Sequence, residues 1–242
     1  MSNFAVMRVE KIKSISTATK RQNHNERTKG DALSDRGEHR SVHIRSKLAP
    51  QLRENLSFSE FFKRQTEGQT LRKDCVKGFE VILTFSHGAV SEADLPKWAG
   101  ENVKFLCDVF GAENLCSVEL HLSETTPHLH AICGAIDERG KLCAKNIIRG
   151  PAHLRELQTD YAKRMEQFGL QRGISKKLTK AQHKELRDFY AEQSNNAERL
   201  RAYEKTFGNE KEWDIDTYIE FVRNKRSEAQ NEPQRVSVDK ER

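Results

Sequence analysis

Three histidines and one carboxylate fall within a single stretch of this 242-residue chain: His121, Glu124, His128 and His130, in HLSETTPHLH at 121–130. His128 and His130 are two residues apart, so in an extended strand both point to the same face. His121 closes the preceding apolar run LCSVELHL, and SETTP is short enough to turn the chain. If the two strands pair antiparallel, His121 lies close to opposite the other two, and three imidazoles converge on one sheet face. Three neutral imidazoles suit Mn²⁺, Zn²⁺, Co²⁺ or Ni²⁺ better than Ca²⁺. Mg²⁺ prefers oxygen ligands and is the lesser fit. Three protein ligands leave positions open for substrate, which is the pattern of a catalytic site. His87, at the end of another strand, is the nearest fourth candidate. Glu124 could orient a ligand histidine, bind the cation or act as a base. The plain alternative is a hairpin with hydrogen-bonded surface histidines. Cupin-type sites also use His-x-His on a strand, so the spacing speaks for a metal more than for a reaction.

The elements that must position these residues can be read from periodicity. FAVMRVE at 4–10 alternates as a strand, whereas 14–47 is polar and basic and reads as a long loop or arm. A helix is expected within 51–72, where Leu56, Phe58, Phe61 and Phe62 share a face. FEVILTFSH at 79–87 is a strand. Residues 91–110 follow as a helix capped by Ser91, then strands at 115–122 and 128–136. DERG at 137–140 is a tight turn, and KLCAKNII after it reads as an edge strand or short extended piece. Pro151 opens a helix with an apolar stripe of Leu154, Leu157, Tyr161, Met165 and Phe168, ended by Gly169. From Leu178 the chain reads as charged helix, with a last helix around Trp213–Val222 and a polar tail from Arg226. The fold class is α+β: an antiparallel sheet with helices packed on it, followed by C-terminal helices.

Composition narrows the partners. Hydrophobic residues make up 36% and charged residues 32%, enough for one core but not for the whole length. No apolar run approaches the ~18 residues of a membrane span, and the N-terminus lacks the pattern of a signal peptide, so a cytoplasmic location is expected. The five cysteines have no Cys-x-x-Cys spacing and read as reduced thiols. Residues 1–50 hold 11 Lys and Arg against 5 Asp and Glu, and residues 139–187 hold 13 against 4. Two such basic blocks suit a polyanion such as nucleic acid, although a solvated helix face has the same composition.

HLSETTPHLH also resembles the histidine motif of HUH endonucleases, in the HxDExTPHxH form of the MobV (Mob/Pre) plasmid relaxase family. Ser123 stands where that family usually has Asp. NHNER at 23–27 is similar to the family's HNxR motif, and GKLCAK at 140–145 and GLQRG at 169–173 resemble segments that follow the histidine cluster. The likeness covers roughly residues 5–180. It implies an HUH relaxase (RRM-like) fold, with a catalytic domain over 1–177, a helical extension over 178–225 and a tail over 226–242. It further implies site- and strand-specific nicking of DNA at an origin of transfer, with a covalent 5′-phosphate link to the protein.

By the same resemblance His24 is the nucleophile, with Arg27 steadying it or a phosphate and Glu124 the acidic companion. His121, His128 and His130 hold a divalent cation, Mn²⁺ before Mg²⁺. Arg21, Asn25, Lys145 and Arg172 face DNA, which is single-stranded or a hairpin at the origin, with accessory conjugation proteins as further partners. Neutral imidazole is nucleophilic near pH 7 without prior deprotonation, which fits His24. Other HUH enzymes use a tyrosine after the histidine motif, and Tyr161 is that rival, as in a replication initiator or transposase. A non-enzymatic, metal-stabilised DNA-binding regulator is the third reading.

Overall fold

A computed structural model describes residues 3–27, 41–122, 126–173, 212–217 and 220. Its elements in chain order are β1 (Phe4–Ile12), α1 (Ile15–Asn25), β2 (Ser41–Arg45), α2 (Phe58–Gln65), β3 (Gly78–Phe85) and α3 (Leu95–Phe110). They continue with β4 (Leu115–His121), β5 (His128–Gly134), α4 (Ala144–Ile147), α5 (Pro151–Met165), β6 (Gln171–Arg172) and β7 (Glu212–Asp214). The strands form one sheet in the order β6-β1-β3-β5-β4-β2-β7. The five central strands are antiparallel, and the short β6 and β7 join the two edges in parallel. The expected α+β architecture is the one observed.

Alternation along the strands gives the sheet two unlike faces. One carries Ala5, Met7, Phe79, Val81, Leu83, Val118, Leu120, Leu129, Ala131, Val42 and Ile44, all buried. Helices α3 and α5 close it. Trp98 meets the Phe85 ring edge-on at 5.0 Å, and Phe105 meets Tyr161 at 5.1 Å. The other face is mostly polar toward the β4–β5 turn, Val6 and Ile82 aside, and its buried apolar cluster lies at the far end. There Ile12, Ile132 and Cys116 pack against Ala18 of α1 and Phe58 and Phe61 of α2. α2 begins with a capping box in which Ser57 and Glu60 satisfy each other's backbone.

Three sequence readings change. The stretch 14–47 is not a loop throughout: 15–25 is helix α1, capped by the Ser14 side chain on Thr17 N, and 41–45 is strand β2. Helix α1 lacks an apolar stripe because its buried residues are Ala18, Gln22 and Asn25. Gln22 donates to Leu56 O at 2.9 Å and accepts from Phe58 N at 2.7 Å, so hydrogen bonds replace apolar contacts as its anchor. KLCAKNII is not a strand. The Asp137 carboxylate gathers Lys141 N, Arg139 N and Asn146 Nδ2 (2.6 Å for the last), which folds 137–146 back into the turn α4. Trp213 lies in β7 rather than in a helix, and helical backbone starts at 215. β7 is fastened to the sheet by Arg45–Glu212 and Arg53–Asp214 ion pairs and by Asp216 accepting from Lys47 N. The expected charged helix from Leu178, and the tail from Arg226, lie outside the described residues.

Candidate metal centre and active site

The β4–β5 hairpin assembles the three histidines. Its register sets His121 opposite His128 and Glu119 opposite His130. The ring centroids of His121, His128 and His130 are 5.0, 4.7 and 5.0 Å apart in pairs. One ring nitrogen from each lies within 4.8 Å of the others, and this is the metal-competent cluster found among the described residues. His121 is fully buried, and the other two are half-buried. The donor set fits a divalent cation. His128 Nδ1 is 2.9 Å from Thr126 O, so that nitrogen carries the proton and Nε2 presents the lone pair. His130 Nδ1 faces Glu80 Oε1 at 3.5 Å, which orients the ring in the same sense.

The C-terminus of α1 runs into this cluster. The backbone carbonyl of Asn25 lies 2.8 Å from His121 Nε2, and Arg27 Nη2 lies 3.1 Å from His121 Nδ1. His24 occupies the last turn of α1 and is exposed. The Arg27 amide donates to His24 O at 3.2 Å, with Arg27 in the left-handed region at φ 53°. Non-glycine residues seldom adopt that conformation, and it concentrates at functional sites.

Carboxylates underlie the histidines. Glu80 receives Arg21 Nη1 at 2.5 Å and Asn25 Nδ2 at 3.4 Å, besides facing His130. Burial opposes its charge, but His130, Arg21 and Asn25 outweigh burial and hold the carboxyl below the usual range. One row along, His43 Nδ1 pairs with Glu119, His43 Nε2 is 2.7 Å from Leu52 O, and Ser41 Oγ donates to Glu119 at 2.9 Å. Burial pulls the His43 pKa down, but Glu119 and the Leu52 carbonyl raise it to about 8. Sequence reading missed Glu80, Glu119 and His43. A charged residue on the face opposite Phe79, Val81 and Leu83 was the available signal for Glu80.

A family profile described as "Plasmid recombination enzyme" (Mob_Pre) matches residues 1–191. The chain belongs to the plasmid recombination enzyme family. It is 24% identical to the type 3 plasmid recombination enzyme of Staphylococcus aureus over 195 residues, 77% of this chain and 47% of that protein. It is 32% identical to a 65 kDa protein of Zymomonas mobilis over 196 residues, 78% of this chain and 33% of that protein. The chain thus spans half or less of the length of these relatives. Its fold is that of the MobM relaxase domain, a Mn-bound crystal structure with plasmid pMV158 oriT DNA. The TM-score is 0.57 at 23% identity, over 78% of this chain and 98% of that one.

In this chain the other expected site residues are scattered. Glu124 lies outside the described residues. Tyr161 is buried in the apolar face, where its hydroxyl donates to Asn102 Oδ1 at 3.0 Å and burial pushes its pKa far up. It packs in the core, on the side of the sheet away from the histidines. Asn25 is fully buried, and Arg21 is half-buried and paired with Glu10 and Glu80. Lys145 is exposed on α4, past the end of β5 remote from the cluster. Arg172 lies at the histidine end of the sheet but three strands away, hydrogen-bonded to Gln158 at 2.8 Å. His87 is exposed in the turn after β3 and is not part of the cluster.

Proposed function

We propose that this chain nicks one DNA strand at an origin of transfer and stays joined to the 5′ phosphate through His24. The observation that carries this reading is the Asn25 carbonyl on His121. It ties the residue after His24 to the histidine cluster, which supports a nucleophile beside the cation site although nearly a hundred residues separate the two in sequence. His121, His128 and His130 would hold the cation, with Mn²⁺ favoured because three imidazoles and open positions suit it and because the similar MobM structures hold Mn. A cation there supplies charge stabilisation for the phosphate oxygens as negative charge builds on them. A neutral His24 ring nitrogen attacks phosphorus. The P–N bond forms, the P–O3′ bond breaks, and the 3′ oxygen leaves with a proton from solvent. Attack by a free 3′ hydroxyl reverses the step and rejoins the strand. Arg27 is placed to offset charge on the phosphate.

DNA would approach along the strands beside the cluster. Val6, Arg8, Ile82 and Thr84 share the polar face beside the cluster, with Val6 and Arg8 exposed and Thr84 directly opposite His128. Lys145 and Arg172 would serve more distant phosphates, and Glu124 an acidic role at the turn. Among the described residues no helix is long and apolar enough to cross a membrane. That suits work on plasmid DNA in the cytoplasm with accessory conjugation proteins. The test is incubation with single-stranded oligonucleotides spanning candidate origins and Mn²⁺, followed by denaturing electrophoresis. A covalent adduct is expected with the wild type and Tyr161→Phe, and none with His24→Ala. Binding without cleavage across all candidates would favour the regulator reading, and an adduct lost only in Tyr161→Phe would refute His24.

A further inference from the structure

The two ring nitrogens of His121 have partners that leave no freedom of protonation. A backbone carbonyl only accepts, so His121 Nε2, 2.8 Å from Asn25 O, carries the proton. A guanidinium only donates, so His121 Nδ1, 3.1 Å from Arg27 Nη2, presents its lone pair to Arg27. A metal ion needs that same lone pair, because the protonated nitrogen cannot ligate. We propose that Arg27 and the divalent cation compete for His121 Nδ1: the guanidinium holds the ring until the metal arrives, and the metal displaces it. The inference rests on the metal reading of His121, His128 and His130 given above.

Three observations support it. The contact is between two cations' claims on one atom, and a guanidinium beside a divalent ion is repelled from it. Arg27 sits at φ 53°, a strained backbone held by its surroundings, so releasing its side chain removes one of the restraints that hold the strain. Its amide is bonded to His24 O, so the displaced side chain stays tethered beside His24. There the phosphate under attack requires a cationic donor. Metal loading would thus also deliver Arg27 to the substrate. A residue that stood in the metal's place before loading becomes a phosphate ligand after it.

The test is Mn²⁺ titration of the whole chain without DNA, by calorimetry and by loss of the aqueous Mn²⁺ resonance signal. Wild type, Arg27→Gln and the double variant His128→Ala with His130→Ala are compared. Competition predicts that Arg27→Gln binds Mn²⁺ about 5-fold or more tightly than wild type, the lower end of ordinary coupling between sites. If Arg27 instead supports His121 as a ligand, Arg27→Gln binds equally or more weakly, and the proposal is overturned. The side-chain nitrogen resonance of Arg27 in the wild type is the second measurement, which stands even if Arg27→Gln does not fold. Saturation with diamagnetic Zn²⁺ should shift it, and an unmoved resonance on a loaded protein also overturns the proposal. The double variant separates the two failures. Mn²⁺ binding that survives it sinks the metal reading itself, whereas binding lost there but not tightened in Arg27→Gln sinks only the competition.

Discussion

On the side of the sheet covered by α3 and α5, every inward residue of the five central strands is apolar or nearly so. On the other side the same strands carry Glu10, Glu80, His130, His128, Glu119, His121 and His43. The first face is held by area removed from water, which has no direction and tolerates many sequences. The second is held by pairs with fixed partners: Arg21 between Glu10 and Glu80, His43 on Glu119, Gln22 on the α2 entry. One face supplies stability, and the other spends some of that stability on keeping charged groups in place. The histidine cluster sits on the side that packing alone would not build.

The contrast is sharpest in its expected mutational responses. Trp98→Ala, in the apolar face, should cost ~3–5 kcal/mol in a urea unfolding midpoint. The Mn²⁺ affinity of the protein that remains folded should stay within about 2-fold, since distant sites act independently. A parallel loss of metal affinity would show that the faces are not separate. Glu80→Gln should do the reverse, weakening Mn²⁺ binding ~10–100-fold, as removal of a carboxylate behind a ligand histidine commonly does. Calorimetry on the folded variant reads this, and an unchanged affinity would mean that Glu80 serves only Arg21.

The smallest effect is the His43 pair. Its folded pKa of about 8 lies above the ordinary value of 6.5, so its stabilisation is fully present below about pH 6.5 and is lost as pH rises through about 8. The wild type should lose about 2 kcal/mol more than His43→Gln between pH 6 and pH 9 in paired urea titrations. Equal losses would remove the ion pair from the account.

The apolar face and the histidine hairpin were legible because period-2 alternation encodes both strand and facing. LCSVELHL and HLHAICGAI fix their own register once paired, and the register puts the three rings together. Helix α1 was not legible, because its buried positions are polar and its anchors are hydrogen bonds to residues 34 and 36 positions away. The basic block at 1–50 has the same limit: a lysine or arginine count cannot tell Arg21, turned onto two carboxylates, from a cation facing solvent. Tyr161 kept two readings open in sequence, since an apolar stripe and a nucleophile-bearing helix have the same spacing. Its place on the α3–α5 side, bonded to Asn102, is that of the apolar stripe.

The hairpin has a consequence for the order in which the protein becomes competent. All three candidate ligands lie between residues 121 and 130, so closing that loop takes little chain entropy and can happen on the timescale of a β-hairpin, ~1–10 μs. The end of α1, which carries His24, meets the hairpin through the Asn25 carbonyl only after β1, β3, β5 and β4 have joined in their non-local order, a slower event. A nascent or partly folded chain would therefore bring its three histidines together before the end of α1 reaches them. On the proposed function, reactivity would thereby be reserved for molecules whose sheet is complete.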